Sequence, residues 1–205
     1  MNKNIVISSL SVLVILALFA FKISGGLLPI GSALPLPTLK VHDIQDRIVS
    51  IKDVKQQNGV LVMFSCNSCP YVIKNQQRTQ EICRFAMQNH LGVILLNSNE
   101  TQRSGEESFA AMQIYGKTQQ YDWYYAVDKD NVLANAFGAS RTPECFLFDK
   151  DLKLAYHGAI DDNPTDAQNV KRQHLKEAIS QLIAGKTITV KETRSVGCAI
   201  KKKDS

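Results

Sequence analysis

The apolar residues of the chain are grouped in short blocks that predict strands, with amphipathic segments between them. Two of these blocks are continuous apolar runs, as expected for strands that are buried on both faces of a sheet. The last two blocks, joined by an Asp-Lys-Asp turn, predict an antiparallel pair. The predicted strands are residues 59–65, 91–99, 124–128, 144–149 and 152–158. Upstream, residues near 38–41 and 47–51 alternate and turn like a short β-hairpin.

Helical patterns fill the intervals between the predicted strands. Two short helices are expected to end at Gly116 and Gly138, because glycine commonly terminates a helix. The predicted helices span residues 70–90, 105–116, 131–139 and 167–184. The alternation of strands and helices predicts an α/β fold with helices on both faces of a central sheet. Because the chain ends with two strands and then a helix, the sheet is expected to be mixed, with the hairpin as an N-terminal extension.

The N-terminus differs from the rest of the chain in its hydropathy. Residues 5–21 are apolar and uncharged and follow Lys3, so that residues 1–26 predict a membrane anchor or a signal peptide. We favour an uncleaved anchor, and either reading implies an exported protein. The remaining predicted divisions are a linker at 27–37 rich in Gly, Ser and Pro, a domain at 38–190 and a basic tail at 191–205.

Composition limits the classes of function that fit. With 205 residues and 44% hydrophobic residues, the chain can form one globular domain with a sizeable core. The net charge of +5 is mild, and much of it lies in the last residues, which we expect to form a solvated tail. No basic stripe with interleaved aromatic residues is present, and nucleic-acid binding is therefore not expected.

The chemistry of the chain centres on two cysteines separated by two residues. Cys66 and Cys69 follow an apolar strand and precede Pro70, which suits the first position of a helix. Amide groups at a helix start favour a thiolate, so Cys66 is expected to be the exposed attacking thiol and Cys69 the more buried resolving thiol. Such a pair reacts through mixed disulfides with protein or small-molecule thiols and needs no cofactor beyond its own disulfide.

Two other readings of this cysteine pair are less favoured. It could be half of a zinc site, but no second pair occurs at ligand spacing. It could also be two core thiols without chemical significance, although the position between a strand and a helix argues against this. The five cysteines of the chain are too few and too scattered for a disulfide scaffold.

The cysteine pair and a downstream Arg-Thr-Pro-Glu sequence resemble the thioredoxin fold. This resemblance implies that the bond between Thr142 and Pro143 is cis, that it faces the cysteine pair, and that it docks the backbone of the substrate. A proline is also tolerated at the start of a strand. The resemblance therefore predicts a substrate-docking site at these two residues.

Several short motifs in a fixed order resemble the redoxin branch, grouped with the alkyl hydroperoxide reductase and thiol-specific antioxidant superfamily. They cover the chain from about residue 36 to residue 201 and lie at residues 66–72, 97–99, 142–144, 158–163 and 197–201. Within the first motif, Asn67 matches the relatives, whereas many of them have a histidine where this chain has Ser68. A histidinium at this position would stabilise the thiolate and make the pair more oxidising. Because this chain has serine there, we do not expect a strongly oxidising pair. We therefore expect an exported thiol–disulfide oxidoreductase that contributes to antioxidant or thiol homeostasis.

Peroxide reduction is the alternative within the same fold. Peroxiredoxins resemble a Pro-x-x-x-Thr-x-x-Cys pattern, which is present at neither Cys66 nor Cys69. Arg141 lies roughly where those proteins place a peroxide-orienting arginine, but a surface arginine fits this position equally well. Peroxidase activity is therefore ranked below disulfide exchange.

The remaining polar and thiol groups leave alternatives open. Asp161 and Asp162 either accept a proton from Cys69 or, as we favour, form an ordinary turn. Cys198 either relays electrons to the pair, pairs with Cys83 or is structural. Cys83 and Cys145 lie in apolar patterns that predict the core.

A copper-handling chaperone is the alternative of another class. Membrane-anchored copper chaperones with a thioredoxin fold use a cysteine pair and a distal histidine, but with three residues between the cysteines. His157 and His174 are the histidines available downstream, and His157 is expected at the surface. This reading is weakly supported, and no metal site is predicted.

Overall fold

The computed structural model describes residues 26–203 of the chain. The predicted anchor or signal peptide, residues 1–26, lies outside the described residues except for its last position. Within residues 26–203, no helix combines the length and apolar character that crossing a bilayer requires.

Within the described part, seven strands form one mixed sheet and two short strands pair separately. The strands are Val41–Asp43 (β1), Ile48–Val49 (β2), Gly59–Ser65 (β3), Leu91–Asn97 (β4), Tyr124–Val127 (β5), Arg141–Thr142 (β6), Glu144–Phe148 (β7), Leu154–Gly158 (β8) and Cys198–Ala199 (β9). The order in the large sheet is β2-β1-β5-β4-β3-β7-β8, and β6 pairs with β9. Strands β3, β4 and β5 are parallel, whereas β7, β8 and the β1–β2 hairpin are antiparallel to their neighbours. The predicted mixed α/β fold with an N-terminal hairpin is thus confirmed.

The helices cover both faces of this sheet. They are Ile51–Val54 (α1), Pro70–Lys74 (α2), Gln76–Gln88 (α3), Phe109–Thr118 (α4), Val132–Phe137 (α5) and His174–Ile183 (α6). Side chains alternate along β3, so that Leu61 and Met63 pack with α3, α4 and α6, while Val62 and Phe64 pack with α1 and α5. This two-sided burial explains the continuous apolar run of β3 and makes it the central support of the residues that follow it.

Three predicted helices have different bounds in the structure. The helix expected at 105–116 begins at Phe109 and continues past Gly116 to Thr118. The segment predicted as one helix over 70–90 is divided at Asn75, whose side-chain amide donates to the carbonyl oxygens of Tyr71 and Pro164. The last helix begins at His174 rather than at residue 167, because Asp166 caps a separate single turn at Ala167–Asn169. In the segments at Asn75 and Asp166, a polar side chain forms hydrogen bonds with backbone groups that a continuous helix would use.

The segments on either side of the domain pack against it, which corrects two expectations. The predicted linker at 27–37 buries Leu28 and Leu34, and their backbone N–H groups donate to Phe137 and Leu152. The predicted solvated tail is also docked, because Ile200 is buried and its N–H donates to the carbonyl oxygen of Ser140. Burial of these apolar side chains stabilises both contacts, although the two segments are otherwise polar. The predicted domain boundaries themselves stay predictions.

Candidate functional site

The cysteine pair lies where the central strand turns into a helix. Cys66 follows the last residue of β3, and Cys69 is the N-cap of α2, with Pro70 at the first helical position. Pro70 suits this place because the first N–H groups of a helix have no partner within it. The strand and the helix therefore hold the two thiols at the carboxyl end of β3.

Both thiols are buried, which corrects the expectation of an exposed Cys66. The relative exposure of Cys66 is 0% and that of Cys69 is 4%. The two cysteines form a small cluster with Val72, against which Tyr71 and Cys198 pack. Thr142, in the turn before β7, contacts Cys66, and the burial of this thiol could not be predicted from the local sequence.

The Thr142–Pro143 turn faces the cysteine pair. Its peptide bond is cis, as the family resemblance implied. The Thr142 hydroxyl lies 3.4 Å from the Sγ atom of Cys66, and the Thr142 carbonyl oxygen lies 3.3 Å from the Sγ atom of Cys69. One residue of this turn therefore contacts both sulfurs.

The third thiol at the site belongs to Cys198. Its Sγ atom lies 2.6 Å from that of Cys69, and its backbone is paired with Thr142 in the β6–β9 ladder. All five cysteines are free thiols in this structure. Of the alternatives for Cys198, pairing with Cys83 does not fit, because Cys83 lies in the apolar core cluster between the sheet and α3.

A buried carboxylate, which the sequence did not predict, contacts the loop between the two cysteines. Glu107 has a relative exposure of 0%, and its carboxylate accepts hydrogen bonds from the backbone N–H groups of Asn67 and Ser68 at 2.9–3.1 Å. It also accepts bonds from the Ser68 hydroxyl at 2.7 Å and from the Asn97 amide at 2.6 Å. This one side chain satisfies four donors and so fixes the loop between the two cysteines.

The side chain of Asn67 forms further hydrogen bonds. Its side-chain oxygen accepts a hydrogen bond from the Tyr125 hydroxyl at 2.8 Å, and its amide donates to the backbone of Glu106. The two residues between the cysteines are thus anchored to the sheet and to the segment before α4. The local signal for this role is only an acidic pair, Glu106 and Glu107, within the helix predicted at 105–116.

The surroundings of the two thiols shift their pKa values in opposite directions. The pKa of Cys69 is lowered, first by the hydrogen bond from the Cys66 thiol and then by that from the Cys198 thiol and by the N–H groups of Val72 and Cys198. The pKa of Cys66 is raised by its hydrogen bond to Cys69 and by burial, and the carboxylate of Glu107 raises it further. Of the two thiols, these surroundings favour the thiolate at Cys69.

The other candidate polar residues do not contact the thiols in this structure. Asp161 is buried in an ion pair with Arg78 at 2.6 Å, and its other oxygen accepts the N–H of Asn163, as in an Asx turn. Asp162 is exposed and accepts the N–H of Lys171. The favoured interpretation of a turn therefore fits the observed hydrogen bonds.

Arg141 also has a defined partner near the site. It is exposed, and its guanidinium donates to the carbonyl oxygen of Gly197 at 3.0 Å. Its contact is thus with the C-terminal segment, beside Cys198. This position gives no specific support for a role in orienting a peroxide.

His157 is buried rather than at the surface. Its ring nitrogen lies 2.8 Å from a carboxylate oxygen of Glu144, and the other oxygen of Glu144 accepts the N–H groups of Ser140 and Arg141. His157 therefore supports the turn that leads to Thr142. In the part of the chain that the structure describes, no three His, Cys, Asp or Glu side chains are arranged so that they could hold a metal ion.

A family model identifies the group of proteins to which the sequence is similar. The model described as Redoxin matches residues 30–174, which is more than half of the chain. Among curated proteins, no sequence matches the chain significantly.

Solved structures with the same architecture come from several bacteria. An uncharacterized conserved protein from Geobacillus kaustophilus has 29% sequence identity and a TM-score of 0.80, with 86% of this chain and 94% of that chain covered. A hypothetical protein from Sinorhizobium meliloti 1021 has 27% identity and a TM-score of 0.79, with 87% and 97% covered. A secreted disulfide oxidoreductase of Mycobacterium tuberculosis has 11% identity and a TM-score of 0.52, with 72% and 96% covered, a likeness of fold.

Proposed function

The chain belongs to the redoxin family and is a thioredoxin-like redox protein, and from this premise we propose that it is an exported thiol–disulfide oxidoreductase. The proposed centre is the dithiol of Cys66 and Cys69. Thr142 and Pro143 form its substrate-facing side, and Asn67 and Ser68 form the loop that separates the two thiols.

The observation that carries this proposal is the placement of two thiols around one threonine. Cys66 and Cys69 lie 3.4 Å and 3.3 Å from atoms of Thr142, at a helix start and beside a cis-proline turn. Both sulfurs contact this one residue, which supports a disulfide between them that can form and open without a large movement. A structural pair of core thiols has no need of such polar partners.

The reaction is two consecutive exchanges. A protein thiolate attacks one sulfur of a substrate disulfide, which forms a mixed disulfide and releases the first substrate thiol. The second protein thiol then loses its proton and attacks the protein sulfur of the mixed disulfide, so that the second substrate thiol leaves and the protein disulfide forms. The substrate gains two electrons and two protons, and the dithiol loses them. The reverse sequence oxidises a substrate dithiol.

We also propose the cellular setting and the cofactor requirement. The apolar run at residues 5–21 supports export, and a secreted disulfide oxidoreductase among the structures of the same fold is consistent with it. The disulfide itself carries the two electrons, so the proposed reaction needs no bound metal or organic cofactor. The partners are thiols and disulfides of proteins or small molecules.

A single-turnover experiment tests this function without knowledge of the physiological electron donor. The full chain is reduced, freed of reductant and mixed with glutathione disulfide, and the products are mapped by non-reducing peptide mass spectrometry. We expect loss of two electrons per chain and a Cys66–Cys69 disulfide. Cys69→Ser should abolish the exchange, whereas the core variant Cys83→Ala should react like the wild type.

Hydroperoxide serves as the competing oxidant in the same experiment. If hydroperoxide oxidises the reduced chain much faster than glutathione disulfide does, the peroxidase alternative replaces the proposed function. Equal exchange by Cys69→Ser and by the wild type would also contradict the proposal, because Cys69 contributes to every protein disulfide expected at this site.

A further inference from the structure

The C-terminal strand occupies the edge at which a substrate backbone is expected to dock. In the β6–β9 ladder, Thr142 is paired with Cys198 and Arg141 with Ala199. A Cβ atom at Gly197 would lie 2.0 Å from the carbonyl oxygen of Thr142, so only glycine permits this approach. The chain's own C-terminal segment therefore occupies the position at which the backbone of a bound substrate would pair with β6.

Several hydrogen bonds fix this segment beyond Cys198. The N–H of Lys201 donates to the side chain of Asn99 at 2.9 Å, and its carbonyl oxygen accepts the N–H of Thr101 at 3.1 Å. The N–H of Lys203 donates to the side chain of Asn131 at 2.9 Å. The segment after Cys198 is thus docked on the domain, and the contact of Cys198 with Cys69 belongs to this docked segment.

The three thiols differ in their access to solvent. Cys66 is fully buried and Cys69 has a relative exposure of 4%, whereas Cys198 is partly exposed. A partner protein that approaches the site therefore reaches Cys198 before it reaches the other two. At the same time, the Sγ atom of Cys198 is 2.6 Å from that of Cys69, so the two sulfurs are in direct contact.

We propose that Cys198 is a third redox-active thiol, which exchanges the disulfide between the buried Cys66–Cys69 position and an accessible Cys69–Cys198 position. This inference rests on the proposed function. It assigns to the C-terminal segment the role of an internal substrate that carries oxidising equivalents between the buried pair and external thiols.

The internal step is an exchange without net oxidation. The Cys198 thiol loses its proton and attacks the Sγ atom of Cys69, so that the Cys69–Cys198 bond forms and the Cys66–Cys69 bond breaks. Cys66 leaves as a thiolate and takes up a proton. The sum of thiols and disulfides is unchanged, and no further oxidant is required.

The accessible disulfide then reacts with an external thiol. A partner thiolate attacks the sulfur of Cys198 and forms a mixed disulfide, and Cys69 leaves as a thiolate. Because the pKa of Cys69 is lowered, it is the better leaving group of the two. A second partner thiol resolves the mixed disulfide and releases Cys198. The partner class is a dithiol that can approach the surface at β9, and the reverse order serves a partner disulfide.

Removal of Cys66 isolates the proposed disulfide. The full-length Cys66→Ser chain, checked for native circular dichroism, is oxidised with glutathione disulfide and mapped by non-reducing mass spectrometry. We expect a stoichiometric Cys69–Cys198 disulfide, and the double variant Cys66→Ser/Cys198→Ser should stop at a glutathione adduct. In the partly oxidised wild type, quenched with acid, both linkages are expected, and this second measurement applies even if the variant does not fold.

The outcomes separate this inference from the proposed function. A persistent glutathione adduct in folded Cys66→Ser, or the absence of a Cys69–Cys198 linkage from the oxidised wild type, overturns the role of Cys198. If the wild type still forms a Cys66–Cys69 disulfide under these conditions, the proposed function stands without the third thiol. If neither linkage forms in the wild type, the proposed function itself is wrong.

Discussion

Two groups of buried cysteines can be compared within this one domain. Cys83 and Cys145 lie in the core between the sheet and its helices, and like Cys66 they have a relative exposure of 0%. Their pKa values are raised, and burial is the leading cause for both thiols. Cys66 and Cys69, by contrast, have hydroxyl, amide and thiol partners at the end of β3.

Because all four thiols are buried, the difference in their partners comes from chain position rather than from burial. Cys83 lies within α3 and Cys145 within β7, where the helix and the sheet already use the backbone N–H groups nearby. Cys69 is at a helix start, where N–H groups remain available. The same side chain is therefore a small apolar group in the core and an ionisable group at the edge.

Replacement of Cys69 should have the largest effect on this comparison. The folded wild type should show ultraviolet thiolate absorbance below the pH at which ordinary thiols ionise, since the pKa of Cys69 is lowered. Cys69→Ser should lose this signal, whereas Cys83→Ala should keep it. Titration of absorbance against pH measures the effect, and equal loss in both variants would contradict the distinction between the two groups.

The same shift predicts how stability depends on pH. Between the lowered pKa of folded Cys69 and the ordinary thiol pKa of the unfolded chain, the unfolded state binds more protons. Unfolding free energy should therefore rise with pH in this window and decline as pH falls through the folded pKa. In Cys69→Ser this contribution should be absent.

Loss of Glu107 should have the next largest effect. Glu107→Ala leaves the buried N–H groups of Asn67 and Ser68 without their acceptor. Since each buried unsatisfied donor costs about 1–3 kcal/mol, we expect the unfolding free energy to fall by about 3 kcal/mol. Denaturant unfolding measures this change.

A matched variant separates the charge of Glu107 from its size. Glu107→Gln keeps the side-chain volume but removes the charge that raises the pKa of Cys66. The pKa of Cys66 should therefore fall in Glu107→Gln, as followed by its alkylation rate against pH. An unchanged pKa together with wild-type stability in both variants would show that the carboxylate does not support the loop.

The parts of the fold that were predicted correctly depend on local signals. The bounds of β3 match the apolar run at residues 59–65, because a strand buried on both faces has no polar position to obscure its ends. Helix α5 ends at Gly138, whose backbone has the left-handed conformation that glycine adopts at little cost. The strand–cysteine–proline order likewise located the thiol pair without any tertiary information.

What could not be predicted depends on contacts between distant residues. Glu107 meets Asn67 across 40 positions of sequence, and an acid near a helix start is more often solvated. Cys198 meets Cys69 across 129 positions through a strand of two residues, too short to show alternation. Cys66 likewise meets Thr142 across 76 positions of sequence, and for this reason its burial was not predicted.

A methyl group at Gly197 should weaken the docking of the C-terminal strand. The added Cβ atom of Gly197→Ala would lie 2.0 Å from the Thr142 carbonyl oxygen, so the strand must move away. Since overpacking typically costs about 1–3 kcal/mol, we expect the Cys69–Cys198 disulfide to form at least fivefold more slowly, to order of magnitude, in the Cys66→Ser background. A time course of oxidation by glutathione disulfide, quenched with acid and mapped by non-reducing mass spectrometry, measures this rate.

A second glycine provides the control for that variant. A Cβ atom at Gly105 would meet its nearest neighbour at 3.9 Å, an ordinary contact. Gly105→Ala should therefore form the disulfide at the rate of its Cys66→Ser parent. If Gly197→Ala and Gly105→Ala behave alike, the paired position of β9 does not govern access of Cys198 to Cys69.

Removal of the Ser68 hydroxyl should have the smallest effect. Ser68→Ala loses the 2.7 Å hydrogen bond to Glu107 but keeps the bond from its backbone N–H. We expect the unfolding free energy to fall by about 1 kcal/mol, since Ser68 is only partly buried and Glu107 retains its other donors. Because the hydroxyl bonds to Glu107 rather than to a thiol, the reduction potential, measured by equilibration with glutathione, should change little. A large change in potential would instead show that the residue between the cysteines tunes the pair directly, as a histidine at this position is expected to do.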